Sequence, residues 1–274
     1  MKTKIQIKTL CGTLLYEHEA EDNNVKKTIE EAVKSGAYLG GAYLRGADLG
    51  GAYLVDANLV GADLVGANLV DANLGGANLG GADLVGANLV DANLGGANLG
   101  GADLGGAYLV DANLVGADLG GADLGGAYLG DADLVGANLG GAYLGGADLV
   151  GADLGGAYLG GADLGGAYLV GANLGDANLV GANLGGADLR EDWGKLSSAS
   201  DVLVVGAIGS RNGYTTVFHT DKGIFVQCGC FRGTLDEFAA KVKETHAVTK
   251  HERDYNALIE FVKIKFADYD VQTN

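Results

Sequence analysis

The chain has 274 residues, of which 50 are glycine and none proline, and a formal net charge of −17, which disfavours direct binding to nucleic acid or anionic membranes. Its three cysteines, Cys11, Cys228 and Cys230, suit a reducing compartment better than a disulfide scaffold. The N-terminus lacks an apolar signal core and no apolar run is long enough to span a bilayer, so a soluble, cytoplasmic protein of bacterial type is expected.

Residues 1–35 balance six acids with six bases. Lys4–Leu10 and Thr13–His18 read as a short hairpin around Cys11 and Gly12. Asn23 or Asn24 then caps a helix with Val25, Ile29, Ala32 and Val33 on one face, and Gly36 ends it.

From Gly36 to Arg190 the chain is 31 uninterrupted pentapeptides of the form (Gly/Asp)-Ala-(Asp/Asn/Tyr)-Leu-(Gly/Val/Arg). Such self-similarity is the signature of a solenoid. Side chains alternate along an extended segment, so Ala and Leu point inward and the residue between them points outward. The pair after each Leu, often Gly-Gly, turns a corner, where glycine tolerates positive φ. A helix is excluded, because a five-residue spacing walks around a 3.6-residue period and glycine is unfavourable inside it. Residues 65–84 are identical to 85–104, which points to a 20-residue coil of four sides and disfavours a three-sided coil of 15 residues. Four sides give 7.75 coils and a rod about 37 Å long at about 4.8 Å per coil. In this register Asn58, Asn78 and Asn98 stack, as do Asn73, Asn93 and Asn113, and Asn68 with Asn88. Amide-to-amide hydrogen bonds along the axis are expected. Apolar ends require covering, which residues 1–35 are expected to do at one end.

These tandem A(D/N)LxG units resemble the pentapeptide repeat family over 155 of the 274 residues. The resemblance implies an all-β solenoid, a right-handed quadrilateral β-helix with Leu as the central inward residue and Ala as the second. This chain departs from the family pattern in two ways: the central residue is never Phe, and 42 glycines fall within the repeats.

Residues 191–274 change composition and read as a small α+β domain. Val202–Ile208, Tyr214–His219 and Ile224–Gln227 are three predicted antiparallel strands, with turns at Asn212-Gly213 and Asp221-Lys222-Gly223. Thr234 and Glu237 form a capping box for a helix with Leu235, Phe238, Ala239 and Val242 inward. A second helix aligns Tyr255, Leu258, Ile259, Val262 and Phe266. The stretch GSRNGYTTVFHTDKGIFVQCGCFRGTLDEFA resembles a domain appended to bacterial and phage pentapeptide proteins, to which no activity attaches.

The repeats hold 17 Asp against Arg45 and Arg190, a net charge of −15. Asp63, Asp83, Asp103, Asp123 and Asp163 share one predicted face, and Asp71, Asp91, Asp111 and Asp131 form a row at a corner. An acidic rod keeps copies apart. It also approaches the charge density of duplex DNA, one charge per ~2.5 Å against one per about 1.7 Å. The family resemblance implies the same alternative, since some members are DNA mimics that occupy the DNA groove of type II topoisomerases. The chain lacks the coil-interrupting loops of some of those proteins, and its C-terminal segment does not look like their simple dimerising helix. Tyr108, Tyr128 and Tyr168 share another face and form a candidate aromatic contact patch. Calcium along the Asp rows is disfavoured, because calcium β-rolls repeat every nine residues. Cys228-Gly-Cys230 with His219, His246 or His251 has the wrong spacing for zinc. No nucleophile, base and orienting group occur together, so neither enzymatic activity nor a cofactor is expected. The expected function is a structural or interaction scaffold with an unidentified protein partner recognised through residues 191–274. The alternative is a DNA-mimicking modulator of DNA gyrase acting through the acidic face.

Overall fold

The computed structural model describes residues 2–190, 193–196, 201–208, 213–228 and 231–267. Strand β1 (Lys2–Lys8) pairs antiparallel with β2 (Leu14–Glu21), with Lys2 opposite Glu21. The second strand runs three residues beyond its predicted end at His18. Asn24 is the cap of helix α1 (Val25–Lys34), accepting from Lys27 N–H at 2.8 Å. Asn23 instead donates through Nδ2 to the carbonyls of Thr3 and His18, tying helix to hairpin. Past the helix Gly36 takes φ 70°, and Ala37 N–H reaches back to Ala32 O at 2.9 Å. Ile7, Ile29 and Ala32 are buried against the first leucines, so the hairpin and helix cover that end of the rod.

Parallel bridges link residues 20 apart throughout the repeats, from Tyr43 with Asp63 to Tyr168 with Asp188. Each coil therefore has four pentapeptides. Every repeat leucine from Leu39 to Leu189 is at most 4% exposed. The alanines fill the space between them.

In a mid-rod pentapeptide that follows an outward Asp or Asn, all five N–H groups find acceptors. At residues 84–88, Leu84 N–H goes to Asp103 O in the next coil and Gly86 N–H to Gly105 O. Ala87 N–H closes the corner on Leu84 O, and Asn88 N–H goes back to Ala67 O in the preceding coil. The remaining group, Val85 N–H, is taken by Oδ1 of Asp83 two residues earlier, an Asx turn at 3.2 Å. Buried backbone without such partners would be costly.

The corner differs from the expected Gly-Gly pair in one respect. Only the first residue of each pentapeptide has positive φ. Where that residue is not glycine it is aspartate: Asp56, Asp71, Asp91, Asp111, Asp131 and Asp176, at φ 55–57°. Aspartate is among the few residues that visit this region at modest cost. The preceding corner residue has ordinary φ, which is why valine replaces glycine there freely.

At the far end β3 (Asp188–Arg190) pairs with β4 (Gly194–Lys195). A four-stranded antiparallel sheet follows, β5 (Val202–Ile208), β6 (Gly213–Thr220), β7 (Gly223–Cys228) and β8 (Phe231–Thr234), in sequential order. Helices α2 (Leu235–His246) and α3 (Lys250–Phe266) cover one face. Strand β8 was not among the predicted elements, and the predicted turn residue Asn212 lies outside the described residues. The capping box forms as expected, with Thr234 N–H on Glu237 Oε2 at 2.8 Å and Glu237 N–H on Thr234 Oγ1 at 3.2 Å.

Strand alternation divides the sheet between two cores. Val217 and Val226 pack beneath α2 and α3 with Phe238, Tyr255 and Val262. Phe218 and Phe225 face the rod, where Trp193 stacks on Phe225 at 4.9 Å and joins the leucine core. With its amide oxygen turned toward the coil, Gln227 accepts from Leu174 N–H at 3.0 Å and Gly175 N–H at 2.8 Å. Arg232 Nη2 donates to Asn173 Oδ1 at 2.6 Å. For Leu174 N–H the sheet thus supplies the acceptor that a further coil would have supplied.

Two outcomes follow. Gly96 has φ 65° and open space around it, so Gly96→Val is expected to lose about 1–2 kcal/mol from backbone strain alone. Gly130→Val, at ordinary φ, is expected to stay within about 0.5 kcal/mol, and thermal unfolding by circular dichroism compares the two. Trp193→Ala is expected to cost about 3–5 kcal/mol at the rod–sheet junction. It should raise amide hydrogen exchange at Leu174 and Gly175 while leaving mid-rod amides unchanged.

Candidate functional site

The outward residue of each pentapeptide has a structural task and a surface task, and they separate cleanly. From Asp48 to Asn183, every Asp or Asn at this position accepts from the N–H two residues later, as Asp103 does from Gly105 at 3.0 Å and Asn98 from Gly100 at 2.9 Å. Oδ1 alone makes this bond, so either side chain serves the backbone equally. The choice of Asp over Asn sets charge, not fold.

The expected amide ladders are mostly absent. Asn93 Nδ2 to Asn73 Oδ1, at 3.3 Å, is the one amide-to-amide bond of those columns among the described residues. The axial bonds instead run mainly from Asn to the Asp one coil before: Asn68 to Asp48, Asn138 to Asp118, Asn173 to Asp153 and Asn183 to Asp163, at 2.8–2.9 Å. A carboxylate acceptor makes the stronger bond.

Asp63, Asp83, Asp103 and Asp123 are bridged in succession along one column. Tyr143 follows Asp123, and Asp163 follows Tyr143. Asp83, Asp103 and Asp123 are exposed, whereas Asp63 and Asp163 are half-buried. Asp71, Asp91, Asp111 and Asp131 are exposed at one corner. Of the rod's 17 aspartates, Asp188 is the one paired with a base among the described residues, 3.9 Å from Lys195 Nζ.

The tyrosines fall into two groups that spacing alone did not distinguish. Tyr143 and Tyr158 lie flat on glycines: a β-carbon at Gly145 would fall 2.3 Å from Tyr143 Oη, and one at Gly160 would fall 2.4 Å from the Tyr158 ring. Tyr108 and Tyr128 are followed by Val110 and by an uncovered Gly130, and stack on each other at 5.0 Å with planes 6° apart. Tyr168 belongs to their column, separated from Tyr128 by Asp148.

Outside the rod, His219 Nδ1 lies 3.6 Å from Asp201 Oδ1 and its ring stacks on Phe266 at 4.9 Å. Asp201 is 2% exposed, a burial no sequence pattern announced. Cys228 Sγ accepts from Thr215 Oγ1 at 3.1 Å, and Cys230 lies outside the described residues. His246 and His251 pack together at 6.0 Å between ring centres. Among the described residues no group of three or more His, Cys, Asp or Glu side chains is placed to hold a metal ion. Nor, among the described residues, is any helix long and apolar enough to cross a membrane.

Comparison with known proteins bears on the rod. A family model for pentapeptide repeats matches in eight copies over residues 35–69, 67–106, 87–126, 127–166 and 157–191. No curated protein matches the chain in sequence. Among solved structures, that of QnrB1, a plasmid-mediated fluoroquinolone resistance protein, is similar at 21% identity. That match covers 54% of this chain and 79% of QnrB1, with a TM-score of 0.41. A pentapeptide repeat protein from the Arabidopsis thaliana thylakoid lumen is 35% identical over 36% of this chain and 66% of its own, with a TM-score of 0.29. One from Nostoc Pcc 7120 is 49% identical over 31% of this chain and 66% of its own, with a TM-score of 0.19. On the matched repeats, the chain belongs to the pentapeptide repeat family.

Proposed function

We propose that the protein is a non-enzymatic interaction scaffold. In this proposal residues 36–190 form a right-handed quadrilateral β-helix, capped by residues 1–35 and carrying a C-terminal domain of residues 191–274. The observation behind it is that Oδ1 alone serves the turn, so Asp at Asp63, Asp83, Asp103 and Asp123 adds charge the fold does not require. Like charges about 4.8 Å apart repel by about 0.9 kcal/mol even in water. Charge held against that repulsion fits a surface that meets a basic protein partner. The C-terminal sheet is committed on both faces, so the domain's contribution to partner choice falls to the outer side of α3, where Phe261 and Ile264 are exposed.

A second proposal, favoured by the charge density of the rod, is that this column imitates a DNA backbone and modulates a type II topoisomerase such as gyrase. Both proposals concern the same side chains, and both contacts weaken with salt, because surface charges are screened over about 10 Å at 0.1 M; the enzyme itself separates them.

The test is a gyrase supercoiling assay with wild type and the D63N/D83N/D103N/D123N variant. The variant keeps every Asx turn, so its melting temperature is expected to equal or exceed that of wild type. Inhibition by wild type that fades with salt and is lost in the variant supports mimicry. Absence of inhibition by folded protein removes gyrase and leaves the scaffold function to stand alone.

A further inference from the structure

The column Tyr108–Tyr128–Asp148–Tyr168 contains the rod's one Tyr–Asp–Tyr succession. Tyr108 and Tyr128 stack at 5.0 Å, close to one coil spacing of about 4.8 Å, so their planes stack along the rod axis. The second face of Tyr128 is therefore turned toward the level of Asp148. Tyr168 stands two coils from Tyr128, about 9.6 Å at the backbone. Between them lies Asp148, half-buried, with Oδ1 held by Val150 N–H at 3.1 Å. No hydrogen bond or ion pair among the described residues engages its other oxygen. Tyr128 is 44% and Tyr168 50% exposed, and Val150 flanks the site at 41%.

We infer that this slot binds an arginine side chain of a partner protein. A planar cation between two aromatic faces needs about 7–8 Å, two contacts of 3.5–4.0 Å. The two-coil gap of about 9.6 Å admits a cation of that thickness. Guanidinium stacks on aromatic faces and bonds a carboxylate at its edge, which a lysine ammonium does less well. The rod already receives basic side chains at outward positions. Arg232 bonds Asn173, and Lys195 pairs with Asp188, one coil beyond Tyr168 in this same column. The slot rests on the scaffold proposal and adds to it the side chain recognised. It is distinct from the Asp63–Asp123 column.

The experiment titrates full-length protein with nona-arginine and nona-lysine peptides by fluorescence anisotropy at roughly 0.1 M salt. Tighter arginine binding is expected, with Tyr128→Leu and Tyr168→Leu each weakening it about three- to five-fold and leaving lysine binding nearly unchanged. D148N, which keeps the Val150 bond, is expected to weaken arginine binding more than the charge-matched D103N. An arginine preference that persists in both tyrosine variants, or equal binding of the two peptides, overturns the slot and leaves the acidic scaffold intact. Failure of both peptides to bind overturns the slot and the acidic scaffold together. Thermal melts of each variant confirm folding.

Discussion

Backbone hydrogen bonding is the constraint on which everything else rests. A five-residue unit that turns a corner has five N–H groups and little secondary structure of its own in which to place them. Two go forward to the next coil, one goes back, one closes the corner, and one is left facing a side chain. The last requirement puts an oxygen at the outward position, so that position holds Asp or Asn in most units. Where Tyr stands instead, that N–H has no such side-chain acceptor. Leucine and alanine fill the interior, but the accounting of donors makes the interior a coil of fixed size.

The same constraint shapes the surface. Since the turn needs one oxygen from the outward residue and nothing else, charge and aromaticity on the outside vary without disturbing the inside. Seventeen aspartates and eight tyrosines occupy the rod with no insertion in the repeat. Uniformity within and variety without follow from it, and the acidic columns and the stacked tyrosines are two products.

Much of this was legible from sequence because the coil is one-dimensional. A duplicated block of 20 residues set the register, and the register placed Asp63 above Asp83 and Tyr108 above Tyr128 without reference to coordinates. Local side-chain bonding was not legible. Asn58, Asn78 and Asn98 are stacked as expected, yet their oxygens turn to their own backbone, because a donor two residues away competes better than an amide one coil away. The two-core sheet also escaped. Val217 with Phe218, and Phe225 with Val226, read as continuous apolar runs, and nothing in such a run says that alternate members bury into different partners. Strand β8 is four residues long and carries a glycine, too little pattern to detect.

The identity of residues 65–84 with 85–104 acquires a meaning from the junction between rod and sheet. Gln227 and Arg232 meet one particular side of the final coil, so the C-terminal sheet has an orientation about the rod axis as well as a position along it. Adding a single pentapeptide would swing that sheet by a quarter turn and shift every column downstream onto a different wall. Adding four returns each column to its own wall and merely lengthens the rod by about 4.8 Å. Such a molecule can change length only by whole coils, a ruler lengthened by one graduation with all its markings still aligned.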